Sequence, residues 1–177
     1  MIFGIGLPKT GTSSLHRALC DLKLRSVHYP IDDVIPSLQV GAYSSIASGR
    51  QAMANCGEWH FAALDREFPG SRFICTWREF DDWIVSVQKH FDRYDHPKPG
   101  EAAFHNRLEV FGITVFDRDV METVYWAHRF AVERHFGHRE DLLWLNVKDD
   151  DAFPKLCEFL GMPRKTARFP HMNRAPA

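Results

Sequence analysis

Two groups of residues in this sequence have the types and spacing to hold an anion. The first lies between Gly6 and Ser14, where one lysine, Lys9, and four hydroxyl side chains (Thr10, Thr12, Ser13 and Ser14) crowd around Gly6 and Gly11. The second is Arg78 with Ser86 eight positions later. A cation ringed by hydroxyl and amide donors makes strong, charge-assisted hydrogen bonds to a phosphate or sulfate, and a guanidinium fork with a hydroxyl suits a terminal phosphate dianion.

The elements that must position these groups can be read around them. Ile2–Ile5 is a short apolar, β-prone run suited to a strand buried on both faces. From Thr12 onward Leu15, Ala18, Leu19 and Leu22 recur at helical spacing. The chain therefore passes from strand through a glycine turn into a helix. At such a helix start unpaired N–H groups converge and the helix dipole favours negative charge. The segment differs from the ATP loop, G-x-x-x-x-G-K-[ST]: Gly6 and Gly11 are correctly separated, but Thr12 stands where that loop has lysine, and Lys9 sits inside the turn. A plain strand–turn–helix with a surface lysine is the bland alternative.

Arg78 marks the carboxyl end of a predicted central strand, Ser71–Trp77. A helix over Phe80–Phe91 follows, with Trp83, Ile84, Val87 and Phe91 on one face. Ser86, about two turns in, can face the same side as Arg78. The plain reading of Arg78 is an ion pair with Glu79 or Asp82.

The rest of the chain reads as further alternation. Thr12–Leu22 is the first helix, Arg25–Tyr29 a second strand, and Asp32 and Asp33 lie in a loop leading to a short helix. Tyr43–Ala54, rich in small residues, reads as a helix packed closely on a neighbour. Trp59–Phe68 is a helix closed by Pro69 and Gly70. Tyr94–Gly100 is a surface loop, the stretch from there to Phe116 a mixed segment, Asp117–His135 a long helix, Leu142–Val147 a buried strand and Asp151–Leu160 a last helix before an irregular tail. Alternating strands and helices imply an α/β fold, a mostly parallel central sheet flanked by helices in three layers. Ligands of such sheets sit at the carboxyl ends of the strands, where the glycine turn, Arg78 and the segment after Val147 all fall.

Composition bounds the answer further. The 177 residues suit a single domain over 1–177, and 45% hydrophobic with 25% charged residues is ordinary for a globular protein. A formal net charge of −1 gives no global positive field to gather nucleic acid or a membrane surface. Cys20, Cys56, Cys75 and Cys157 show no metal-ligand or disulfide spacing, which fits reduced thiols in a cytoplasmic protein. No signal-like segment opens the sequence and no apolar run is long enough to span a bilayer.

The run Leu7–Thr12, containing Pro8-Lys9-Thr10-Gly11-Thr12, closely resembles the 5′-phosphosulfate loop of sulfotransferases, P-K-[ST]-G-T, and Arg78 with Ser86 resembles the 3′-phosphate motif of the same family. Further likeness lies in Leu64-Asp65, Phe68–Ile74, Trp83, Asp141–Leu143, Leu156–Gly161 and Phe169–Asn173, so that it covers most of the chain. The resemblance is to the small sulfotransferase-like group of P-loop proteins. It implies 3′-phosphoadenosine 5′-phosphosulfate (PAPS) as donor, 3′-phosphoadenosine 5′-phosphate (PAP) as product, a hydroxyl or amine on a small molecule or glycan as acceptor, and no metal. On this reading Lys9, Thr10, Gly11, Thr12, Ser13 and Ser14 cradle the phosphosulfate, Lys9 also offsets charge on the bridging oxygen, and Arg78 and Ser86 select the 3′-phosphate. Trp144 stands near a position where the family often places an adenine-stacking aromatic, although a core tryptophan is the simpler reading.

A base must take the acceptor's proton. Relatives place it between the phosphate loop and the arginine strand, where Glu58 and His60 are candidates. His28 is a third, Asp32 and Asp33 are further options, and a solvated or structurally bonded side chain is the ordinary alternative for each. The lid over the acceptor is expected in Phe104–Phe116 and Pro97–Gly100, and the basic residues available near the end are Arg164, Lys165, Arg168 and Arg174. A homodimer is compatible with the sequence, which leaves the oligomeric state open. Two other readings compete: a nucleotide kinase or NTPase of related fold, disfavoured by the missing G-K-[ST], and a catalytically inactive nucleotide-binding protein.

Overall fold

Apolar residues on both faces of each short strand require helices above and below the sheet, and the computed structural model shows that arrangement. It describes all residues except 31, 94–96, 166 and 173–177. Among the described residues the chain runs β1 (Ile2–Gly4), α1 (Thr12–Asp21), β2 (Ser26–His28), α2 (Val34–Gln39), β3 (Ala52–Ala54), α3 (Phe61–Glu67), β4 (Arg72–Thr76), α4 (Phe80–Arg93), α5 (Ala102–Phe111), α6 (Arg118–Phe136), β5 (Leu142–Leu145) and α7 (Ala152–Leu160). The five strands are all parallel, in the order β2-β3-β1-β4-β5. No helix among them is long and apolar enough to cross a membrane.

In-register parallel pairing and the two-residue side-chain period send matched residues to each face. Phe3, Met53, Phe73 and Cys75 join Ile35, Leu38, Phe61, Leu64, Val132 and Phe136 from α2, α3 and α6 on one face. Ala52, Ala54, Ile74 and Leu145 meet Leu15, Leu19, Leu156 and Cys157 from α1 and α7 on the other. The α1 side is built from small residues so that this helix can lie close. A methyl group added at Gly4 would come 3.0 Å from Leu15 Cδ2 and 3.2 Å from the Ala54 Cα. A third cluster forms beside the sheet, where Leu7 is enclosed by Trp83, Ile84 and Val87 of α4, Phe111 of α5, and Met121 and Tyr125 of α6.

Three expectations change. Tyr43–Ala54 is not a helix: only Tyr43–Ser45 forms a single 3-10 turn, and Ala52–Ala54 is the strand between β1 and β2. Its alanines are there because α1 presses on that part of the sheet, and small side chains carry little β preference of their own. The mixed segment 101–116 contains α5, which is capped by Gly112 in the left-handed region at φ 72°. The helix expected from Trp59 begins at Phe61, and Trp59 instead donates its indole N–H to the Val110 carbonyl at 2.9 Å. Residues 94–96 of the expected surface loop and Arg174 of the tail lie outside the described residues.

Candidate functional site

All five strands deliver something to the turn between β1 and α1. Gly6 passes so close to the end of β4 that a Cβ there would lie 2.3 Å from both the carbonyl oxygen and the hydroxyl of Thr76. Thr10, fully buried, donates its hydroxyl to the Leu7 carbonyl at 2.6 Å and shares a 2.7 Å contact with the Thr76 hydroxyl. Gly11 sits at the helix N-cap with φ 112°, where a side chain would strike Val147 beyond β5 at 2.5 Å. From β2 and β3 come His28 and Asn55. The Thr12 hydroxyl donates to Asn55 Oδ1 at 3.2 Å, and His28 Nε2 lies 3.1 Å from Thr12 Oγ1 and 3.3 Å from Ser13 Oγ. The Ser14 hydroxyl accepts from the backbone N–H of Met172 in the tail at 3.1 Å.

These bonds sort the row of hydroxyls. Thr10 turns inward and shapes the loop, Ser14 ties down the tail, and Thr12 and Ser13 face His28. Because the Thr12 proton goes to a carboxamide oxygen, the His28–Thr12 contact requires a proton on His28 Nε2. Burial, with the charges of His16 and Lys9, pushes the His28 pKa down to about 4, so the ring is neutral at physiological pH. No side chain caps α1 and its first turn carries no acidic residue, so its leading N–H groups and positive dipole end face the turn.

Lys9 sits at the tip in the left-handed region at φ 73°, a conformation costing a lysine on the order of 1 kcal/mol. The surrounding structure holds it there. Trp83 Nε1 donates to the Pro8 carbonyl at 2.9 Å, and Arg78 Nη1 donates to the Lys9 carbonyl at 3.2 Å. Both clamps come from the β4–α4 segment, whose Arg78 carbonyl is itself held by the Tyr125 hydroxyl at 2.6 Å. Burial lowers the Lys9 pKa, and the nearby positive charges of Arg93 and Arg78 lower it further.

Arg78 is half-buried, and its Nε is buried with no hydrogen-bond partner among the described residues. Asp82 stands 3.8 Å from Nη2, the ion pair anticipated for this arginine, but that carboxylate also binds Lys148 Nζ at 2.5 Å. Ser86 follows one turn after Asp82 on α4 and is half-buried. A buried guanidinium donor without a partner is costly unless something anionic meets it.

The other candidates are placed less directly. Glu58 is buried, and burial followed by the charge of Glu109 raises its pKa to about 8, so it holds its proton at neutral pH. His60 pairs through Nε2 with Glu109 of α5, while its Nδ1 lies 3.3 Å from the Tyr43 hydroxyl. Asp33 caps α2 by accepting from Val34 N at 2.7 Å and pairs with Arg50, and Asp32 is exposed. Trp144 is half-buried against the core, and the Arg129 guanidinium lies 5.4 Å from its ring centroid and 5.6 Å from that of Trp77.

Two residues near Lys9 were not singled out from the sequence. His90 and Arg93 lie one and two turns beyond Ser86 on α4, and both interact electrostatically with Lys9. The available signal was their i+4 and i+7 spacing from Ser86 along one flank of the helix.

No curated protein matches this chain. A family model described as a sulfotransferase domain matches residues 1–177, and the protein belongs to that family.

Proposed function

We propose that the protein moves a sulfuryl group from PAPS to a hydroxyl or amine acceptor and releases PAP. The observation that carries this reading is Arg78, a half-buried guanidinium with an unpartnered buried Nε, held beside a loop that is itself built for an anion. Two separate anion-binding groups at one sheet edge fit a donor with a phosphosulfate at one end and a 3′-phosphate at the other. ATP would leave the second group unused.

In this reading the first-turn amides of α1, with Gly11, Thr12, Ser13 and the Lys9 ammonium, hold the 5′-phosphosulfate, while Thr10 and Ser14 keep the cradle in shape. Lys9 offsets the charge that grows on the bridging oxygen as its bond to sulfur breaks. Arg78 and Ser86 hold the 3′-phosphate. His28, fixed as the Nε2–H tautomer, orients the Thr12 and Ser13 hydroxyls. The acceptor is a small molecule or glycan entering from the α5 side.

Calorimetric titration of the purified protein with PAP and with ADP tests the donor. Tighter binding of PAP is expected, and equal affinities refute the assignment. Magnesium-dependent ATP turnover would restore the kinase reading. PAP binding without transfer to any acceptor would instead mark an inactive nucleotide binder.

A further inference from the structure

Two large aromatic side chains lie on the solvent side of α6. Trp126 is 50% exposed and Phe130 is 65% exposed, whereas every other Phe, Trp and Tyr among the described residues is buried or half-buried. Spaced i, i+4, the two project from one face, with the small Ala127 exposed beside them. The opposite face, Met121, Tyr125, His128, Val132 and Phe136, is buried, so the helix cannot roll to hide them. Phe80 stacks on Trp126 at a centroid distance of 6.4 Å with the ring planes 30° apart, and the Arg118 guanidinium lies 5.4 Å from the Phe80 centroid. α6 contains no lysine. Exposed Trp and Phe set among arginines, without lysine, is the composition of an interface core and not of a solvated helix face.

The charges at the two ends of this face are opposite in sign. Asp119 and Glu122 lie toward its N-terminal end and Arg134 toward its C-terminal end, all three exposed and without an ion pair among the described residues. Glu133, the exception, is already paired with Arg129 at 3.1 Å. We infer that the protein forms a homodimer through α6, laid antiparallel on α6 of a second copy, with Trp126 and Phe130 of each chain packed against those of the other at the twofold axis. In this orientation the acidic end of each helix lies beside Arg134 of the other copy, and the two helix dipoles oppose one another. An anionic membrane is a poorer match, because Asp119, Glu122 and Glu133 would meet headgroups of their own sign. The 19 residues of α6 make a face about 28 Å long and about 10 Å wide, which covers roughly 300 Å² per subunit. A standard interface covers roughly 800 Å² per partner, so this dimer is weak and reversible, with Kd in the micromolar range. It does not depend on the PAPS-dependent reading above.

Sedimentation equilibrium of the full chain, from about 1 μM to about 500 μM, tests the dimer. The average mass is expected to climb from one chain toward two across that range, and a wild type that stays monomeric at the top of it overturns the inference. F130E, at an exposed position, should weaken association about 10-fold or more with Tm unchanged, and dimerisation as tight as the wild type's would refute the role of the aromatic pair. Charge reversal at one end leaves the aromatics in place. D119K/E122K makes both ends of the face positive and R134E makes both negative, so each alone should associate less than the wild type, while an equimolar mixture should recover dimers. A mixture no more associated than its two components also overturns the inference. Cosedimentation of a monomeric wild type with phosphatidylserine vesicles would assign the face to a membrane and overturn it as well.

Discussion

Replacing Arg78 by alanine separates its role toward a ligand from its role in the fold, because the two act on different quantities. Toward the protein, Arg78 contributes the 3.2 Å bond from Nη1 to the Lys9 carbonyl, a neutral acceptor, worth about 0.5–1.5 kcal/mol. Its contact with Asp82 adds little: that carboxylate is 55% exposed and keeps Lys148 at 2.5 Å when the arginine is gone. For a chain of this length about 1 kcal/mol corresponds to a fall in Tm of roughly 2–4 °C. Toward a 3′-phosphate, the guanidinium (only 21% exposed) would make charge-assisted bonds worth about 1.5–3 kcal/mol, or roughly 10- to 150-fold in affinity. Loosening of the loop weakens PAP and ADP alike, whereas loss of the 3′-phosphate contact weakens PAP alone. The PAP-to-ADP affinity ratio therefore isolates the second effect. Calorimetry on wild type and R78A should show a preference for PAP that collapses in the variant while Tm falls by only roughly 2–4 °C. A variant that keeps the full preference would refute the role assigned to Arg78.

Three further outcomes follow from the same geometry. Lys9→Ala should lower turnover more than it lowers PAP affinity, since the ammonium interaction strengthens as the bridging oxygen gains charge; equal losses in kcat and in binding would argue against that role. Gly6→Ala places a Cβ 2.3 Å from a backbone carbonyl that cannot move aside, and should cost at least ~3 kcal/mol, seen as a fall in Tm on the order of 6–12 °C; a Tm equal to wild type would contradict the tight crossing of β1 and β4. Stability should pass through a maximum near pH 6.5. Below it, His28, His90 and His128, each lowered to about 4, take up protons in the unfolded chain before the folded one, so stability falls with acid; above it, Glu58, raised to about 8, keeps its proton only when folded, so stability falls as pH rises toward 8. Glu58→Gln should flatten the alkaline side in thermal melts, and an unchanged alkaline slope would count against a buried, protonated Glu58.

What could be read in the sequence was what short-range chemistry determines. The strand–glycine–helix opening, Arg78 at the end of β4 and the amphipathic α4 each carry their signal within about fifteen residues, and each stands where it was expected. The strand β3 escaped because its composition answers to another element: Ala52 and Ala54 are small to admit α1, and a three-residue alanine-rich strand has no pattern of its own. The partners of the loop were hidden for a related reason. Asn55, Thr76 and Val147 are ordinary residues at strand ends, and only the sheet order brings them to one place. His90 and Arg93 belong to no motif, and their electrostatic interaction with Lys9 arises only from the fold.

The pairing of β1 with β4 also acts as a ruler. Gly4 lies level with Ile74, Gly6 crosses against Thr76, and each strand is followed a short step later by a cationic residue, Lys9 from one and Arg78 from the other. The distance between the two is set by the interstrand spacing of about 4.8 Å and a fixed register, with no flexible linker in between. A single residue inserted in β4 would carry Arg78 about 3.3 Å along the strand and turn its side chain to the opposite face. Such an insertion should abolish binding of the proposed two-phosphate donor while leaving the Lys9 loop and the Arg78 guanidinium each chemically intact.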